Sequence, residues 1–232
     1  MTGGFGELGA ALAVFFASHS LPSVGPVRRR CVAAVGERGF LLGYSLISAG
    51  VTIWLIAAAL AAPPYELWPM TVVGMWVTAI SMIFAAVFLV WGLTTPNALS
   101  IRIRAGAFDP ARPGLIAVTR HPILWSFVFW GLGHLASNGD AGTAILFGLL
   151  GGFGLLGTFI LDARRRRELG DATWRQMTWQ TSSVPFASIL NGRAAMPWRA
   201  LGAWPTWLGL ALYVGALALH HSVIGVSPLP PF

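Results

Sequence analysis

The stretch Thr119–Asp140, TRHPILWSFVFWGLGHLASNGD, decides how the chain is read. Arg120-His121-Pro122 opens it, an apolar run with Trp125 and Trp130 follows, and Gly133-His134 closes the run before Ser137-Asn138-Gly139-Asp140. Pro122 suits the first turn of a helix, where its missing N–H costs no hydrogen bond. A helix therefore starts there and reaches Leu135. Imidazole and guanidinium groups are costly in hydrocarbon, so ionisable residues in or beside an apolar span mark function first. His121 and His134 stand thirteen residues apart, about 20 Å along a helix, against a bilayer core of about 30 Å.

Composition extends this to the whole chain. Of 232 residues, 56% are hydrophobic and 10% charged, and the mean hydropathy is +0.70. Soluble domains carry roughly 25% charged residues, so the chain is an integral membrane protein. Outward from the central stretch, five further apolar spans appear: Gly4–Leu21, Gly39–Ala62, Trp68–Leu93, Ala141–Leu161 and Leu201–Ile224. With Pro122–Leu135 they predict an all-α, polytopic bundle of six transmembrane helices in one domain covering residues 1–232. The first span lacks a basic n-region and a small-residue cleavage site, so it is expected to be retained. Pro22 and Pro26 end or kink it. Residues 94–120 and 168–199 are polar connections. The alternating Leu99–Arg104 stretch is expected at the headgroup level, and Trp198, Trp204 and Trp207 form an aromatic belt.

The net charge is +7, from 15 basic residues that are all arginine. Four follow the first span, four the third and seven the fifth, and no other connection carries one. The positive-inside rule then places these connections in the cytoplasm and both termini in the periplasm of a bacterial inner membrane. Membrane lipids are the expected partners of the arginines, and nucleic acid is not. A single cysteine, Cys31, excludes an internal disulfide and a cysteine metal cluster.

Several motifs have plain readings. Gly152-x-Gly154-x-x-Gly157 matches the dinucleotide fingerprint in letters, but no strand precedes it; with Gly148 it reads as close helix packing. Arg164–Arg167 anchors the end of a span, and Glu7, about one turn inside its own, reaches the outer interface. His220 and His221, near an interface, read as hydrogen-bonded to a neighbouring helix or headgroup. His19 and His134 lie deeper and read as functional. Trp130 and Gly131 stand four and three residues before His134, and Phe15 and Phe16 likewise before His19. Aromatic walls beside a glycine leave room for a flat macrocycle.

These residues carry a family resemblance. His19-x-x-Pro22, the arginines after it, Thr119-Arg120-His121-Pro122, Gly133-His134 and Ser137-Asn138-Gly139-Asp140 resemble the NnrU family of bacterial membrane proteins. Asp162-Ala163-Arg164, Arg167-Glu168-Leu169-Gly170, Thr181–Phe186 and Gly225–Leu229 extend the resemblance over nearly the whole chain. It implies a link to nitrite and nitric oxide reduction in denitrifying bacteria, with respiratory reductase components as partners. The domain is shared with plant ζ-carotene isomerase, a b-type haem protein with histidine ligands. The resemblance thus implies haem b, held by His19 and His134 as axial ligands, with His121 and Arg120 in the cofactor site, and redox or isomerase chemistry. By depth, His19 lies nearer the cytoplasmic face and His134 nearer the outer one. Pairing them requires tilt or a first helix displaced through the Pro22 kink; His19 with His121, or His134 with His220, are the depth-matched alternatives. Arg120-His121-Pro122 also resembles the isoprenylcysteine carboxyl methyltransferases, which implies an S-adenosylmethionine-dependent alternative. A non-catalytic assembly factor for a respiratory reductase is the third.

Overall fold

In the computed structural model the described residues are 4–20, 25–101, 103–104, 106–230. They form helices and connections with no strand; the single β-type contact is an isolated bridge between Glu66 and Asp140. The helices are α1 (Phe5–Ser20), α2 (Gly25–Leu60), α3 (Val72–Thr94), α4 (Pro122–Ser137), α5 (Ala141–Leu169), α6 (Asp171–Thr178), α7 (Ala187–Leu190), α8 (Trp198–Leu201) and α9 (Trp204–Ile224). A 3-10 turn at Gly114–Ala117 precedes α4. Helices stand at all six positions where the apolar spans lie. Four of them, α2, α3, α5 and α9, are long and apolar enough to cross a membrane. α1 and α4 have 16 residues each, fewer than the ~20 that a perpendicular crossing needs.

Two boundaries differ from the sequence expectation, each for a local reason. α2 begins at Gly25, fourteen residues early, so Arg28–Arg30 are helical and not a loop. Pro26 falls in its first turn, where proline is tolerated. The helix then breaks at Gly36 (φ 74, ψ 166), a backbone state that only glycine adopts cheaply. α5 runs on through its arginines to Leu169, because Arg164 and Arg165 pair with Glu168 at 2.8 and 2.6 Å and such i,i+3 and i,i+4 pairs support a helix. At the start of the Leu99–Arg104 stretch, Leu99 is fully buried with Ile116 and Trp174, while Ile103 is exposed. Arg102 and the Pro22 kink lie outside the described residues.

The chain divides into two compact units, one of residues 1–69 and 138–146, the other of 70–137 and 147–232. In the first, Leu8, Ala11 and Phe15 of α1 and Leu55, Ala58 and Ala59 of α2 make a buried core, and α1 packs on α2. The turn after α2 is stapled to the start of α5: Leu67 N–H donates to the Gly139 carbonyl at 2.7 Å, and Ala141 N–H to that of Tyr65 at 2.9 Å. Asp140 accepts from Gly142 N–H at 3.0 Å, capping α5. A methyl on Gly139 would stand 1.8 Å from the Trp68 carbonyl oxygen. Ser137–Asp140 is thus a structural staple.

In the second unit α3 packs against both α4 and α9, around Val87, Phe88, Trp91, Leu115 and Val118. Trp91 Nε1–H donates to Thr206 Oγ1 at 3.0 Å. Thr78 on α3 donates to the Gly133 carbonyl at 2.7 Å and bonds the Ser137 hydroxyl at 2.8 Å. Gly131 lets α4 meet α5: a methyl there would stand 2.5 Å from the Gly151 nitrogen and 2.6 Å from the Phe147 carbonyl oxygen. Of the four glycines expected to pack closely, Gly154 and Gly157 do so against Leu124, whereas Gly148 and Gly152 have nothing within 4 Å among the described residues. Gly151, outside that motif, approaches Leu132.

Candidate functional site

Two groups of polar side chains stand inside this apolar framework. The first is built where the chain enters α4. Backbone bonds from Arg120 N–H to the Ser182 carbonyl (3.0 Å) and from Phe186 N–H to the Val118 carbonyl (2.7 Å) tie this entry to the segment after α6. Thr119 Oγ1 and Trp125 Nε1 both donate to the Ser183 carbonyl, at 2.8 and 2.7 Å. Asn97 Nδ2 donates to the Arg120 carbonyl at 2.8 Å.

On that platform Arg120 and His121 converge on one carboxylate. The Arg120 guanidinium grips Asp162 through Nε, at 2.8 Å, and Nη2, the bidentate geometry that suits arginine and carboxylate. His121 Nε2–H donates to Asp162 Oδ1 at 2.8 Å, and Ser100 Oγ lies 2.7 Å from Nδ1. A neutral imidazole with its proton on Nε2 satisfies both bonds, Ser100 donating to Nδ1. His121 is fully buried, and this desolvation holds its pKa below the ordinary histidine value of 6.5, outweighing the opposing pull of Asp162. The indole of Trp174 lies 5.4 Å from the Arg120 guanidinium carbon. The structure therefore brings Arg120 and His121 together, as expected, around an acid that the sequence reading did not assign to them.

The second group is the pair of deeper histidines, which belong to different units: His19 to the first, His134 to the second. They share one local arrangement. His19 Nδ1 is 2.8 Å from the Phe15 carbonyl oxygen, and His134 Nδ1 is 2.9 Å from that of Trp130, four residues back in each helix. A carbonyl accepts only, so Nδ1 carries the proton and Nε2 the lone pair. Aromatic rings flank both imidazoles. Phe15 stacks on His19 at 4.1 Å, and His134 stacks on Phe147 at 4.8 Å with Trp130 tilted beside it at 5.3 Å. Ser48 Oγ lies 2.8 Å from His19 Nε2. The room expected beside His134 at Gly131 is taken by α5, so that glycine serves helix packing and not a macrocycle. His220 belongs to the same unit as His134, and its Nδ1 bonds the Val226 carbonyl at 2.9 Å. Glu7 accepts a bond from Trp54 Nε1 at 3.3 Å. Among the described residues no three His, Cys, Asp or Glu side chains gather as a metal-ion cluster.

Ser48, Ser100 and Asp162 were missed as site residues. For Asp162 the signal was present, an acid placed where an apolar span meets four arginines. Ser48 and Ser100 carry no such mark.

Long apolar helices with polar groups fixed at their ends and between them define a multi-span membrane protein. The chain belongs to the NnrU family: the family described as NnrU protein matches residues 7–228. It is also similar to the chloroplastic 15-cis-zeta-carotene isomerase of Arabidopsis thaliana, with 29% identity over 117 residues, 49% of this chain and 32% of the relative. The chain thus spans about a third of the length of that curated relative. No solved structure matches it.

Proposed function

We propose that the protein binds haem b within the bacterial inner membrane, that His134 and His19 would hold it, and that it serves nitrite and nitric oxide respiration or a haem-dependent cis–trans isomerisation. The observation that carries this is the repeated Nδ1-to-carbonyl bond of the two imidazoles. It orients each ring with the proton on Nδ1 and the lone pair on Nε2, the form in which an imidazole would hold haem iron. At His19 the Ser48 hydroxyl donates to that same nitrogen, a bond that haem would displace on binding. Phe15, Phe147 and Trp130 supply apolar surface against the rings. When bound, haem b would supply a one-electron iron centre, and the two imidazoles would hold it. His121 and Arg120 bind one carboxylate at the entry to α4 and so hold the helix that carries His134.

Six spans complete the picture, with α1 and α4 crossing alongside the four longer helices. Arginine-bearing connections face the cytoplasm and both termini the periplasm, on the strength of the arginine partition. Reductase components are the respiratory partners, and the similarity to the plant isomerase favours a polyene as the alternative substrate. The methyltransferase reading is disfavoured because both ring nitrogens of His121 and two nitrogens of Arg120 are committed to Ser100 and Asp162.

The visible spectrum of the detergent-purified protein tests the proposal. A haem Soret band is expected, with haem per protein reduced in His134→Ala and in His19→Ala. Full occupancy in both variants would show that this pair is wrong, and a protein left colourless after addition of haem would remove the cofactor.

A further inference from the structure

We infer that Gly25–Val35, the part of α2 before its kink, lies in the plane of an anionic lipid leaflet with Cys31 turned into the headgroup–acyl boundary. This rests on the chain being a membrane protein and not on the haem assignment. Within this segment no residue is buried: Arg28 and Val32 are half-buried, and the other nine are exposed. Val27, Cys31, Ala34 and Val35 recur at spacings of three and four and make one apolar stripe. Arg28 and Arg30 border this stripe on a helical projection, and Arg29 lies on the far side.

The electrostatics single out the occupant. Arg28 pairs with Glu37 and lies 5.4 Å from the Phe40 ring centre, which ties it across the Gly36 kink and fixes the turn into the rest of α2. Arg29 and Arg30 make no ion pair among the described residues. The first turn of α2 holds no acid, so its basic residues crowd the positive end of a helix dipole without compensation. A layer of lipid phosphates supplies the missing negative charge along the whole segment, while the valine stripe sinks about 5–10 Å below it. Both arginines lie within a Debye length of that layer. The break at Gly36 separates a surface anchor before it from a crossing helix after it.

Cys31 is the only cysteine of the chain, so a nitroxide attached to it reports the segment without further engineering. The full-length protein is reconstituted in phosphatidylcholine vesicles with and without phosphatidylglycerol. Power-saturation paramagnetic resonance then compares access of oxygen, which concentrates in the bilayer, with that of a neutral nickel chelate, which stays in water. Oxygen access should exceed nickel access in the anionic vesicles. Arg29→Gln with Arg30→Gln should lower the ratio of lipid-seated to water-exposed probe about thirtyfold, near fivefold per arginine, while Arg29→Lys with Arg30→Lys retains it. Nickel access exceeding oxygen access in wild type would overturn the inference. So would a probe shielded from both reagents, which would mean that protein and not lipid covers the stripe.

Discussion

Replacing Asp162 by asparagine should unfold the entry to α4 more readily than any surface substitution. The carboxylate holds two side chains that have little access to water: Arg120 is 13% exposed and His121 fully buried, while Asp162 itself is 20% exposed. Removing one member of a buried pair costs about 3–5 kcal/mol, because the remaining charge stays desolvated. The residual exposure and the Trp174 ring offset part of this, leaving about 2–3 kcal/mol. Asparagine can satisfy His121 by a change of tautomer, yet it offers Arg120 one neutral oxygen in place of a bidentate carboxylate. At ~2–4 °C per kcal/mol for a chain of this size, the midpoint should fall by roughly 4–12 °C. Thermal unfolding in detergent, followed by tryptophan fluorescence, reads this directly. Arg112→Gln is the control: its pair with Asp109 is solvated, at 89% and 49% exposure, and should leave the midpoint unchanged. A double variant, Arg120→Met with Asp162→Leu, should lose less than the two single losses added together. An Asp162→Asn protein that melts within about 1 °C of wild type would refute the idea that this carboxylate clamps the helix entry.

Gly131→Ala should cost about 1–3 kcal/mol, since its methyl meets the Gly151 and Phe147 backbone, which yields poorly; Gly148→Ala, with nothing within 4 Å, should be neutral or stabilising in the same melt. Because the folded pKa of His121 lies below its unfolded value of 6.5, the unfolded state takes up the proton first. The contribution of His121 is therefore complete above that pH and lost as the pH falls through the folded value, and a His121→Gln variant should show a flatter dependence of melting temperature on pH. Reporter fusions after Arg175 and after Phe232 should read cytoplasmic and periplasmic respectively; two cytoplasmic readings would sink the six-span topology.

How far the sequence could be read follows from what each feature depends on. Apolar runs and Pro122 are local signals, and they located the helices. Ends depended on finer chemistry. α5 outran its apolar run because Glu168 neutralises the arginines that would otherwise mark a stop. α2 began early because Arg28–Arg30 are as compatible with a helix as with a loop. Arg120 and His121 were recognisable as site residues from their cost in an apolar setting. Asp162, about forty residues further on, could be joined to them only by folding. The histidines were legible as ionisable groups in apolar helices, whereas their shared orientation depends on carbonyls one turn back, Phe15 and Trp130, which no side-chain pattern announces.

The same distinction explains how helices made of such similar residues choose their neighbours. Leucine and valine lose little by exchanging lipid for protein, so hydrophobicity alone gives no register to a membrane bundle. Register in the second unit comes from a few polar and small residues. Thr78 reaches from α3 to the Gly133 carbonyl and the Ser137 hydroxyl, beside His134. Trp91 reaches from α3 to Thr206 on α9, and Gly131 admits the backbone of α5. Each contact fixes rotation and height at once, since a slip by one residue leaves a donor in hydrocarbon or drives a methyl into backbone. Asp162 does the same for the entry to α4, with the added strength of charge. His134 therefore lies on a helix held at its start by Arg120 and His121 and near its end by Thr78. The haem ligation proposed for His134 needs that rigidity, because the position of Nε2 is only as definite as the helix behind it.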